Sequence, residues 1–204
     1  MEKLDRYETN LGYFNRQAAR EHGDRIAIVD LSRPEPYSVS HATLDDRMDR
    51  VAAALQGYGL KPGDRLLLAT GNRFEFIEVF FGAMRAGIVP IPLNHKLGAD
   101  TIRFVIRDAD ARAAIVVPGC HPDIEAIVEE TGLSPRIATG AVRAGWESYE
   151  DVLAQADPGT VAPPEISPRQ AAFLPYTSGS TGVPKGVLLP HDGMLWAIRA
   201  AQKY

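Results

Sequence analysis

Apolar and polar positions fall into alternating blocks along this chain, and the spacing within each block names the element it predicts. Leu44, Met48, Val51, Leu55 and Tyr58 recur at steps of four and three, an amphipathic helix with Ser40 as its N-cap. The opposite face carries Asp45, Asp46, Arg47, Asp49 and Arg50; mixed signs on one face read as solvated surface. A turn at Lys61-Pro-Gly-Asp64 leads into residues 65–70 (RLLLAT), a strand too uniformly apolar to be half exposed. Asn72, with Glu75 three residues on, predicts a capping box for the next helix, whose buried stripe is Phe74, Ile77, Phe80, Phe81 and Met84. Gly87 closes that helix, and the two prolines of residues 88–93 (IVPIPL) confine the following strand to an edge or to a bulged start.

The alternation continues with a helix over 100–109, a strand over 113–117, a helix over 124–130, a strand over 136–139, and a short helix behind a Ser148/Asp151 capping box. Upstream, Leu11, Phe14 and Ala18 mark a helix ended by Gly23, and residues 25–30 and 36–39 form a hairpin. The fold class is therefore α/β, a mostly parallel sheet flanked by helices. Residues 1–156 read as one α/β unit. Residues 157–170, with Pro158, Gly159, Pro163, Pro164 and Pro168, read as a proline-rich linker, and 171–204 as the strand–loop–strand–helix start of a second unit. There, strands over 172–176 and 186–189 bracket a loop, and Asp192 starts a helix with Leu195 and Ile198 on its buried side.

Composition narrows the function more than the fold. With 22 basic and 26 acidic residues the net charge is −4, and no long basic run suits the chain to nucleic acid. No apolar stretch reaches the length of a membrane span, and the charged first ten residues do not form a signal peptide, so a cytoplasmic protein is expected. Cys120 is the sole cysteine, which excludes an internal disulfide; beside His121 and Pro122 it reads as structural. Asn94, His95 and Lys96, just past a strand, read as surface loop.

The chemistry concentrates in residues 174–185, LPYTSGSTGVPK. Thr177, Ser178, Ser180 and Thr181 offer hydroxyl donors, Gly179 and Gly182 let backbone N–H groups approach an anion, and Lys185 adds a positive charge. Such a segment suits a nucleotide polyphosphate. It is not the common G-x-x-x-x-G-K-[ST] loop, because Pro184 precedes the lysine and Gly186 follows it.

Position for position, the segment resembles the signature of the adenylate-forming superfamily: acyl-CoA synthetases, amino-acid-adenylating domains and firefly-type luciferases. Residues 63–65 (GDR), 72–76, 82–94 (GAMRAGIVPIPLN) and 189–191 (LPH) are similar to blocks of acyl-CoA synthetases, in the expected order. The resemblance implies an enzyme that uses ATP, Mg²⁺ and coenzyme A to activate a small carboxylic acid, fatty or otherwise, as acyl-AMP and pass it to CoA. It implies that Thr177, Ser178, Gly179, Ser180, Thr181, Gly182 and Lys185 hold the β- and γ-phosphates. The family's adenine and ribose segments and the lysine of its small C-terminal domain have no counterpart here. This 204-residue chain then reads as the N-terminal part of the large domain, inactive alone and able to self-associate through uncovered apolar surface. An amino-acid-adenylating or acyl-AMP-forming relative, and a non-catalytic binding or assembly protein on the same scaffold, remain open.

Overall fold

A computed structural model describes residues 9–177 and 183–201. Its centre is a five-stranded parallel sheet: β3 (Arg65–Ala69), β4 (Val89–Pro92), β5 (Ala111–Val116), β6 (Arg136–Ala138) and β7 (Glu147–Ser148), in the order β4-β3-β5-β6-β7. The apolar run of β3 has its cause here, since the strand lies between two neighbours and under two layers of helix. Leu66 and Leu68 face one layer and Leu67 and Ala69 the other, all at most 2% exposed. β4 takes the edge, as its prolines require.

Helices α2 (His41–Gly57), α3 (Phe74–Arg85) and α6 (Tyr149–Gln155) cover the first face; α4 (Ala99–Asp108) and α5 (Ile124–Glu130) cover the second. Ser40 caps α2 by accepting from Thr43 N, and Ser148 caps α6 by accepting from Asp151 N. Gly87, at φ +75°, turns the chain out of α3. Gly82 lets α3 cross α2 closely: a Cβ there would lie 2.7 Å from Val51 Cβ and 2.8 Å from the Met48 carbonyl oxygen. At one end, α1 (Arg16–His22) and the antiparallel hairpin of β1 (Ile26–Asp30) and β2 (Tyr37–Ser40) pack against α2 and α3. No described helix is long and apolar enough to cross a membrane.

Several sequence expectations are corrected. The charged face of α2 is not simply solvated. Asp45 is 7% exposed and pairs with Arg85, a wholly buried guanidinium that also bonds Asp49, the Asp45 carbonyl and the Gly12 carbonyl. Arg47 meets the buried Glu78 at 2.5 Å, and the Tyr149 hydroxyl donates to the same carboxylate. Burial pushes Glu78 up to about 7, against the opposing pull of those two donors. Tyr58 ends the apolar stripe in solvent, its hydroxyl on Glu147. Asn72 does not cap α3: Arg73 holds the N-cap position without a side-chain bond, while Asp30 accepts from Phe74 N and Glu75 pairs with Arg33. Ile77, Phe80 and Phe81 are only half-buried, whereas Val79, Ala83, Met84 and Arg85 are fully enclosed.

The proline-rich stretch is docked rather than loose. Gln56 exchanges two hydrogen bonds with the Ala162 backbone, and Pro164 abuts Gly87. The strand expected over 186–189 is two short ones. β10 (Lys185–Gly186) pairs with β9 (Tyr176–Thr177), and β11 (Leu189–Pro190) pairs with β8 (Ala171–Phe173), both antiparallel. Helix α7 (His191–Ala201) follows, with Leu195 half-buried and Ile198 exposed, not buried as its spacing suggested.

Candidate functional site

The sequence-predicted phosphate loop sits on the β9–β10 hairpin. The ladder sets Lys185 opposite Thr177 and Gly186 opposite Tyr176, so the first and last residues of the candidate set are brought side by side. Ser178, Gly179, Ser180, Thr181 and Gly182 lie outside the described residues. Thr177 and Lys185 are both exposed, and among the described residues Lys185 has no ion-pair partner. A hydroxyl and an ammonium thus stand side by side on the hairpin.

The hairpin stands against the edge of the parallel sheet. Leu174 N donates to the Pro90 carbonyl at 3.0 Å on the open side of β4, and the Leu174 side chain enters the core beneath. Val187 N donates to the Pro175 carbonyl at 2.9 Å below the ladder. Gly186 is closely packed: a Cβ would lie 3.0 Å from Leu174 Cδ1 and 3.1 Å from Tyr176 Cζ, so both side chains would have to give. The Tyr176 ring lies over this glycine, and its hydroxyl donates to Asp108 Oδ2 at 2.6 Å. No sequence signal marked Tyr176 or Asp108, since their contact joins residues far apart in the chain.

The descending arm ends at His191, which is 1% exposed. Its Nδ1 accepts from Leu11 N at 3.0 Å, so the ring is the tautomer with its proton on Nε2. Burial lowers its pKa to about 4, and the Asp192 carboxylate only partly opposes this. The histidine is therefore neutral and ties the loop's arm to the N-terminal segment. That segment is held in turn by Asn10 Nδ2 on the Met84 carbonyl and by Arg85 on the Gly12 carbonyl.

Other candidates separate from this site. Asn94 caps its own turn, accepting from Lys96 N, and all three residues of that loop are exposed. Cys120 is half-buried and its thiol donates to the Ala69 carbonyl; burial pushes its pKa up, as fits an inert thiol. Among the described residues no three His, Cys, Asp or Glu side chains gather closely enough to hold a metal ion.

The sequence model of the AMP-binding enzyme family matches residues 14–204. The 4-hydroxybenzoate–CoA/benzoate–CoA ligase of Rhodopseudomonas palustris is 33% identical over 187 residues, covering 91% of this chain and 34% of its own length. The salicyl-AMP ligase / salicyl-S-ArCP synthetase of Mycobacterium tuberculosis is 33% identical over 190 residues, covering 90% and 34%. Among solved structures, a Mycobacterium tuberculosis fatty acyl CoA synthetase superposes with a TM-score of 0.74 at 29% identity, covering 92% of this chain and 36% of that one. The chain spans about a third of the length of the curated relatives it matches. With Thr177 and Lys185 of the signature paired on one hairpin and the match running through the parallel sheet beneath it, the chain belongs to the AMP-binding enzyme family.

Proposed function

We propose that this chain is the N-terminal part of a cytoplasmic, ATP-dependent acid–CoA ligase, and that residues 177–185 hold the β- and γ-phosphates of ATP. The observation that carries the reading is the pairing of Thr177 with Lys185, which sets a hydroxyl donor and a positive charge side by side. In the first half-reaction a substrate carboxylate oxygen bonds to the α-phosphorus, and the bond to the oxygen bridging to the β-phosphate breaks. Pyrophosphate leaves with that electron pair. In the second, a thiol attacks the acyl carbonyl and AMP departs. Such chemistry needs positioning and charge balance more than a covalent catalyst. The role of this chain's residues is to bind: Lys185 offsets the charge growing on pyrophosphate, and Thr177 and the loop hydroxyls orient it.

The names of the relatives favour an organic acid, with benzoates and fatty acids the first to test. The experiment is acid-dependent pyrophosphate release by the intact protein across such a panel, with Lys185→Ala alongside. Release with at least one acid, reduced about tenfold or more by the substitution, is expected from loss of one charge contact to the leaving group. No release with any acid, or an unaffected variant, refutes the assignment.

A second reading is favoured by the relative named for salicyl-AMP and a carrier protein. The acceptor would then be a carrier-protein thiol rather than CoA. Acyl-AMP accumulating in the presence of CoA selects that reading.

A further inference from the structure

Tyr176 is one residue outside the loop and has a partner the phosphate-binding role does not require. Its hydroxyl donates to Asp108, the last residue of α4. A carboxylate at a helix C-terminus faces the negative end of the dipole, an unfavourable place unless a donor meets it. The direction of the Tyr176 ring is set twice more. It packs against the core cluster on the α4 face, and it lies over Gly186, where a Cβ would come 3.3 Å from its Oη. The β9–β10 ladder has only two residue pairs, too few to hold a hairpin by themselves. Leu174 N on Pro90 and Val187 N on Pro175 fix its foot. The Tyr176–Asp108 bond is the side-chain tie from the ladder itself to the helical layer.

We propose that Tyr176 is a positioning residue for the phosphate loop: through Asp108 it fixes the hairpin whose last pair sets Lys185 opposite Thr177, and so fixes where the terminal phosphates of ATP are held. The inference rests on the phosphate-binding reading of residues 177–185. Burial, and after it the Asp108 carboxylate, keeps the phenol above the ordinary tyrosine range, so the bond persists through neutral pH.

The test is titration calorimetry on the intact protein with two probes, ATP and AMP. The loop touches only the phosphates AMP lacks, so a positioning effect separates the probes whereas a general loss of structure weakens both. Tyr176→Phe and Asp108→Ala are each expected to weaken ATP about three- to tenfold, the size of one exposed hydrogen bond, with AMP unchanged. The double variant is expected to be no weaker than either single one, and Asp108→Asn, which keeps an acceptor, to retain most of the affinity. Lys185→Ala serves as the reference. If it weakens ATP and Tyr176→Phe does not, the role of Tyr176 is overturned and the loop assignment stands. If neither weakens ATP, the loop assignment falls and takes this inference with it. Equal weakening of ATP and AMP by Tyr176→Phe also overturns it.

Discussion

Acid should loosen this protein through His191, and the size of the effect follows from the structure. The imidazole is 1% exposed and spends its Nδ1 lone pair on Leu11 N, so a proton has no place to go in the folded state. Burial takes its pKa from the usual 6.5 to about 4. The native state therefore binds fewer protons than the unfolded state whenever the pH is below about 6.5. The contribution of this group is fully present above that pH, declines as pH falls, and is exhausted below about 4. Across the whole window the loss approaches about 3 kcal/mol, and between pH 7.5 and 5 it is about 2 kcal/mol. In a chain of 204 residues that corresponds to a melting temperature lower by roughly 4–8 °C. Other groups titrate in the same range, Glu78 among them, so the decisive quantity is a difference. His191→Asn places an amide oxygen where Nδ1 accepts and removes the titration. Thermal or urea unfolding followed by circular dichroism, at pH 7.5 and 5, should show the variant losing about 2 kcal/mol less on acidification than the parent. Equal losses in the two proteins would refute the reasoning.

Arg85→Met retains much of the side-chain volume but withdraws the guanidinium from Asp45, Asp49 and two carbonyls. Arg16 remains as a partner for both carboxylates, so a loss of about 3 kcal/mol in urea unfolding is expected, and less than about 1 kcal/mol would contradict the network's role. Gly82→Ala drives a methyl group against Val51 and the Met48 carbonyl; a cost of about 1–3 kcal/mol is expected, and a neutral result would show that α2 and α3 separate easily. Val183, Val187, Leu188 and Trp196 are 40–73% exposed along and beyond the loop's descending arm. Light scattering on the 204-residue chain should show mass rising with concentration, less so in Leu188→Ser; a strict monomer would refute self-association through this surface.

What the sequence disclosed follows from locality. Ser40 over Thr43, Gly87 at a positive φ, and the apolar run of β3 are each decided within a few residues, and each is where its pattern placed it. The missed features join distant parts of the chain. Asp45 looked solvated because its partner, Arg85, lies on another helix, and Asn72 lost the cap because Asp30 reaches it from β1. Ile198 has the right spacing for burial, but no described element covers it. For the site, hydroxyls, glycines and a lysine suggest anion binding by type alone, and the phosphate-binding role stays a proposal. The Thr177–Lys185 pairing, the Tyr176–Asp108 tie and the seat of His191 depend on strand register and on contacts that no spacing rule encodes.

The bond between Leu11 and His191 also bears on how the chain is made. Its two ends are 180 positions apart, so at the ribosome the Leu11 amide emerges long before its acceptor. The parallel sheet can assemble earlier, since β3 to β7 and their helices lie between those ends. Closing so long a separation is entropically slow and is favoured only once both surfaces are already built. The hairpin that carries Lys185 thereby takes shape after the parallel sheet it stands against.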